Sequence, residues 1–243
     1  VTNRTEATPG DEATIHAMSE DPALKSVAQQ FFEQTIRFNY SYNFTWLGLP
    51  IIQYPQDVLA LQEIIWKTKP DLIVETGIAR GGSIVFSASM LQLLGEGKVI
   101  GIDIDIREHN RTAIERHPLF SRIEMIQGSS VDPTVVAEVK KRTQGARRIM
   151  VILDSNHSAA HVTAELEAYA QLVTPGCYLS VMDTVVERLP QELSFGRPWG
   201  PGDSPMTAVD SFLAENKHFA IDASYDRKLL ISVAPRGYLI RTQ

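Results

Sequence analysis

The stretch that most constrains this chain is Ile73-Val74-Glu75-Thr76-Gly77-Ile78-Ala79-Arg80-Gly81-Gly82-Ser83. A short β-branched run ends in an acid, crosses a glycine-rich turn and opens into an apolar segment. That order lets a strand feed a tight loop and then a helix whose N-terminus faces a ligand. Gly77, Gly81 and Gly82 let the backbone bend sharply and let a cofactor come close without a Cβ in the way. Glu75 is expected at the strand end, at the mouth of the pocket. The first expectation is therefore a nucleotide-type cofactor loop, with the cofactor to be chosen by the rest of the chain.

After this loop, apolar runs and helical patterns alternate. Strands are expected over Asp71–Glu75, Lys98–Ile102, Arg122–Gln127, Arg148–Leu153 and Cys177–Met182. Helices are expected from Gly82 to about Leu94, then over Arg107–His117, Asp132–Arg142 and Ser158–Leu172. Met206–Asn216 reads as a last long helix, followed by two runs, His218–Ala223 and Lys228–Val233. Upstream, Val1–Glu20 reads as a loose arm. Asp21-Pro22 and Tyr54-Pro55 each read as a helix start, with proline at the first helical position. Residues 1–50 are expected to form this arm and a helical cap, and 51–243 the cofactor-binding domain. The alternation predicts an α/β fold, Rossmann-like, with a mostly parallel central sheet and helices on both faces.

In such a sheet, functional residues gather outside the carboxyl ends of the strands. Glu75, Asp103, Ser129, Asp154 and Asp183 each fall at one, on five successive strands. Any one of them is also explained as a helix cap or a solvated loop residue. A dinucleotide site would want G-x-G-x-x-G, and Gly77, Ala79 and Gly82 match it only in degenerate form. Glu75 argues against that reading, because a carboxylate just before the loop repels a pyrophosphate. S-adenosylmethionine carries an ammonium and a sulfonium instead. Glu75, Gly77, Gly81, Gly82 and Ser83 are then expected at its methionine end. Asp103 is expected at its ribose, and Ser129 and Ser130 beside its adenine.

Asp154 and Asp183 follow neighbouring strands, with Ser155-Asn156-His157 after the first and Thr184 after the second. Two hard oxygen ligands on adjacent strand ends suit Mg²⁺ with waters completing an octahedron. A metal on an acceptor hydroxyl lowers its pKa and fixes the nucleophile. His157 could take the proton, or be a helix N-terminal residue bound to backbone. His161 is expected to pack, and His109, His117 and His218 to be solvated. The aromatic stretch Phe38, Tyr40, Tyr42, Phe44, Trp46 could line an acceptor pocket, or glue the cap to the core. Thr184–Asp203 is too long for an ordinary connection and reads as a functional lid or a disordered segment, with Trp199 between Pro198 and Gly200 unusual for a loop that packs on nothing.

Composition excludes several classes. The chain has 23 Lys+Arg against 29 Asp+Glu, a formal charge of −6, which gives no support for nucleic acid or an anionic membrane as partner. No run approaches the roughly 20 apolar residues of a spanning helix. Val1–Asp21 lacks the basic-then-apolar order of a signal peptide. A single cysteine, Cys177, excludes an internal disulfide framework and fits a reducing, cytoplasmic setting. Between Gly176 and an apolar run, Cys177 reads as a small core filler.

At the residues quoted, the sequence resembles the family named after cephalosporin hydroxylase, which includes rhamnosyl O-methyltransferases. The resemblance runs from Trp46 to the C-terminus. It rests on Trp46-Leu47-Gly48, Glu75-Thr76-Gly77 with Gly81-Gly82-Ser83, Gly101-Ile102-Asp103 and Gly128-Ser129-Ser130. Leu153-Asp154-Ser155-Asn156-His157, Val173 with Pro175-Gly176, Asp183-Thr184 and Pro235-Arg236-Gly237-Tyr238-Leu239 complete it. It implies an S-adenosylmethionine methyltransferase fold, a Mg²⁺ site beside the cofactor, a sugar or tailored natural product as acceptor, and a homo-oligomer. One departure matters. The family usually shows Glu-Asp where this chain has Met182-Asp183, so one oxygen ligand is missing. Water, Thr184, Asn156 or Ser155 could replace it. The function expected is Mg²⁺-assisted O-methylation of a sugar or glycoside. The alternatives are an auxiliary or hydroxylase-type tailoring protein, favoured by Met182, and an NAD-binding oxidoreductase.

Overall fold

Capping acids and prolines set most of the helix starts. In the computed structural model, which describes residues 10–194 and 196–243, α1 (Glu12–Glu20) is capped by Asp11, whose carboxylate accepts from Thr14 N. This helix corrects the loose arm expected over Val1–Glu20, of which residues 1–9 lie outside the described residues. α2 (Pro22–Ile36) starts on Asp21, which accepts from Ala23 N and Leu24 N. β1 (Phe44–Trp46) and β2 (Leu49–Ile51) form an antiparallel hairpin. α3 (Pro55–Thr68) follows, and its end at Lys69 precedes Pro70.

The expected alternation comes next, with boundaries shifted by a few residues: β3 (Leu72–Thr76), α4 (Gly82–Leu94), β4 (Lys98–Asp103), α5 (Glu108–Glu115), β5 (Ile123–Gln127), α6 (Pro133–Arg142), β6 (Ile149–Leu153), α7 (Ala159–Tyr169) and β7 (Tyr178–Val181). The chain closes with α8 (Pro205–Glu215), β8 (Phe219–Ile221), α9 (Ala223–Leu229) and β9 (Tyr238–Arg241). The run Lys228–Val233 is therefore not one extended element. Its first residues end α9. Ser232 Oγ and Val233 N then donate to the buried Asp57 carboxylate, which holds this stretch out of the sheet.

The strands form one sheet in the order β5-β4-β3-β6-β7-β9-β8. β5 through β7 are parallel, and β9 runs antiparallel to both of its neighbours. Successive residues of β3 face opposite layers, as a strand's period of two requires. Ile73 joins the layer built with α3 and α4, while Leu72 and Val74 join the layer built with α7 and α8. Cys177 is fully buried in that second layer, as expected. The strand order reverses between β3 and β6. Their register pairs Thr76 with Leu153, so Gly77 and Asp154 emerge side by side at the crevice where α/β sheets bind ligands. No described helix is long and apolar enough to cross a membrane.

Candidate active site

A cavity of about 440 Å³ opens at that crevice. Its floor carries Gly77, Gly82, Ser83, Asp154, His157 and Asp183. Its walls come from the N-terminal cap (Tyr40, Tyr42, Tyr54) and from the segment after β7 (Val185, Leu189, Leu193, Arg197, Trp199). Both readings of the aromatic stretch therefore hold for different rings. Tyr40 and Tyr42 line the cavity, whereas Trp46 packs edge-on against Phe86 and donates from Nε1 to Ser89. Residues of the segment after β7 reach the cavity and are ordered against it. The Trp199 ring meets the His157 ring edge-on at 5.3 Å, and the Arg197 guanidinium lies over Trp199.

The three side chains expected at the chemistry come together. His157 Nε2 lies 3.0 Å from Asp183 Oδ2, and one donor atom each from Asp154, His157 and Asp183 fall within 4.8 Å of one another. Asp183 adopts a left-handed φ of +54°, which turns its carboxylate to the cavity while Met182 points into the core. Burial pushes the Asp154 carboxyl well above its usual range, and the charges of Asp183, Glu75, Glu165 and Asp57 push it further. Burial also raises Asp183, but the adjacent His157 and the Arg197 charge outweigh it and hold that carboxyl low. The two neighbouring carboxylates therefore differ: Asp183 has His157 and Arg197 for partners, and the charged groups that act on Asp154 are acids. The donor set of two carboxylates and one imidazole fits a single divalent cation, and it is not the two-histidine, one-carboxylate set of an iron oxygenase.

Several expected site residues take other partners. Glu75 is not at the mouth of the pocket. It is the fourth residue of β3, fully buried, and its carboxylate accepts from Ser87 Oγ on α4 and is also held by Ser83. Burial raises it to about 7. The glycines make room for this chain itself. At Gly77 (φ +90°) a Cβ would sit 2.0 Å from the Asp154 carbonyl oxygen, and at Gly82 one would sit 2.3 Å from that of Pro50. Gly81 faces the Ile114 side chain. Asp103 Oδ2 accepts from Ile78 N and Ala79 N, and its Oδ1 accepts from Asp105 N, so the carboxylate fastens the glycine loop. Ser130 is buried with its Oγ 3.1 Å from His161 Nε2, and the Ser129 carbonyl accepts from Asp132 N.

Thr184 is no part of the cluster. It is fully buried and donates to the Pro235 carbonyl. The other offered substitutes for a third carboxylate are also engaged: Ser155 donates to Glu165, and the Asn156 side-chain oxygen accepts from Ser158 N and Oγ. His161, expected to pack, sits among Ser130, Ser155 and Glu165. His117 is not merely solvated. Its Nδ1 accepts from Leu119 N, so Nε2 carries the proton and donates to the Leu47 carbonyl. Sequence reasoning missed Gln53. This residue lies between β2 and α3 and donates from Nε2 to Asp154 Oδ2 at 2.8 Å. Nothing in its sequence neighbourhood marks it, because the contact spans about a hundred residues.

The parallel sheet, its reversal at β3 and β6 and the antiparallel β9 define the class of S-adenosylmethionine methyltransferase folds. A solved CmcI structure described with Mg and SAM aligns with a TM-score of 0.57 at 21% identity, over 83% of this chain and 78% of its own. An O-methyltransferase from Bacillus cereus in complex with SAH aligns at 0.50 and 16%, over 86% and 88%. Sequence similarity is narrower. The family described as Rhamnosyl O-methyltransferase/CmcI matches residues 38–242, and the chain belongs to it. A rhamnosyl O-methyltransferase of Mycobacterium bovis (strain BCG / Pasteur 1173P2) is 31% identical over 199 residues, 81% of this chain and 78% of the relative. That of Mycobacterium leprae (strain TN) is 29% identical over 206 residues, 84% and 86%. The chain is thus a methyltransferase, and the NAD-binding alternative falls away.

Proposed function

We propose that the protein transfers a methyl group from S-adenosylmethionine to a hydroxyl of a sugar or glycosylated small molecule, with Mg²⁺ held by Asp154 and Asp183. One observation carries this reading. At one crevice, a helix N-terminus without a side-chain cap meets a carboxylate pair that has a single imidazole beside it. The first N–H groups of α4 suit the carboxylate of the donor's methionine end. Ser83 stands there on the cavity wall and links to Glu75, which supplies the opposite charge for the donor's ammonium. Gly77, Gly81 and Gly82 keep the loop folded against Asp154, Ile114 and Pro50. Asp103 Oδ1, with one N–H partner, retains acceptor capacity for the ribose. Ser129 and Ser130, on the next strand end outward, fall on the adenine side.

A divalent cation at the carboxylate pair supplies Lewis acidity that makes an acceptor hydroxyl more acidic. His157 takes that proton on its imidazole, and Asp183 beside Nε2 stabilises the resulting charge. Tyr40, Tyr42 and Trp199 line the cavity where a sugar would sit, and the segment after β7 keeps bulk water from the reacting atoms. The printed names of the mycobacterial relatives favour a sugar hydroxyl as acceptor. Calorimetry with the donor, its demethylated product and NAD tests the reading. The donor and product bind and NAD does not, while Asp154→Ala and Asp183→Ala lose methylation yet keep donor binding. Tighter binding of NAD, or full activity of both variants in chelator, sinks it.

A further inference from the structure

Asp154 lacks the partner that Asp183 has in His157. Its carboxylate has one side-chain hydrogen bond among the described residues, from the carboxamide of Gln53. The charges that bear on it, from Asp183, Glu75, Glu165 and Asp57, are all negative. Gln53 is 5% exposed, and it is fixed between the β1–β2 hairpin and α3. The next residue, Tyr54, is buried and stacked on Phe32 with ring centroids 4.8 Å apart. Gln53 lines the same cavity as the carboxylate pair, yet its Oε1 is buried with no partner among the described residues. An orphaned buried acceptor is destabilising, so such a group calls for a partner that something else brings. Met182 deepens the point. Its side chain lies in the core, so the two aspartates are the carboxylates available to a cation here, and the carboxamide adds polarity without charge.

We propose that Gln53 is a positioning residue of the cation site: its Nε2–H holds Asp154 Oδ2, leaving Oδ1 for the cation, and its Oε1 accepts a hydrogen bond from a water of the hydrated cation. This rests on the reading of Asp154 and Asp183 as cation ligands. Groups that orient a ligand from behind typically set metal affinity by about 10–100-fold. The role needs a donor towards Asp154 and an acceptor towards the water on one side chain, so neither a carboxylate, which has no N–H to donate, nor a hydrocarbon serves it.

The test titrates Mg²⁺ by calorimetry into the full chain and into Gln53→Leu and Asp154→Asn, with the demethylated donor product titrated separately. Gln53→Leu should weaken Mg²⁺ binding about tenfold or more while leaving product affinity and melting temperature near those of the parent. If Gln53→Leu does not fold, Gln53→Asn, which withdraws the amide by one methylene, takes its place with the same expected loss. Unchanged Mg²⁺ affinity in Gln53→Leu, alongside its loss in Asp154→Asn, overturns the role of Gln53 and leaves the cation site standing. Unchanged affinity in Asp154→Asn overturns the cation site itself. A rise in acceptor KM with unchanged Mg²⁺ affinity would place Oε1 on the acceptor and also overturn the proposal.

Discussion

In the proposed reading Glu75, a buried acid, serves the donor's ammonium through Ser83 without touching it. Burial raises its carboxyl to about 7, and only the hydroxyls of Ser83 and Ser87 oppose that rise. Around neutral pH the group is divided between its two forms, and an ammonium near Ser83 favours the ionised one. Donor affinity should therefore strengthen with pH. Between about one unit below and one unit above that pKa the ionised fraction changes about tenfold, and the apparent affinity follows it. Calorimetry of the demethylated product across this window should show the rise in the parent and a flat, weaker profile in Glu75→Gln. An equal slope in both would remove Glu75 from donor binding. At this scale the sequence was half legible. A carboxylate before a glycine loop, and acids at the ends of neighbouring strands, can be read from position alone. The direction a side chain takes cannot. Asp103 turned to the loop amides, Thr184 to Pro235, and Gln53 arrived from across the fold.

At the scale of elements, buried parallel strands announce themselves as short β-branched runs, and the prolines at Pro22, Pro55 and Pro133 mark where helices begin. What failed lay where long-range contacts decide. α1 carries few apolar residues and shows little periodicity, yet it packs beside α9. The stretch after α9 is apolar enough for a strand, but Asp57 captures it. Asp57, on α3, is fully buried and accepts from Ser232 Oγ, Val233 N and the Tyr238 hydroxyl, tying α3 to the start of β9. Burial raises its carboxyl from 3.8 to about 6 despite these donors. The folded state then binds this proton more tightly than the unfolded chain does. Its contribution is complete below the ordinary value and is lost as pH rises through about 6, a change of about 3 kcal/mol. Urea denaturation across that window should show the decline in the parent and a shallower one in Asp57→Asn. An equal decline would mean that other groups carry it.

For the whole molecule, the reversal of strand order places everything. The glycine loop rises from β3, the carboxylates follow β6 and β7, and residues of the aromatic cap and of the segment after β7 line the cavity where they meet. The alternation made this sheet legible, because a parallel sheet of this kind admits few arrangements. The walls of the cavity were less so. They come from the two least periodic parts of the chain, whose conformation is set by contact with the core and not by local pattern. The most direct test of the account is transfer itself: purified protein, trideuteromethyl-labelled S-adenosylmethionine and a rhamnosyl glycoside, with the product read by mass spectrometry with and without chelator. The account predicts one labelled methyl group on a sugar hydroxyl with Mg²⁺ present and none in chelator. Transfer that persists undiminished in chelator, or label found on a nitrogen or carbon of the acceptor, would contradict it.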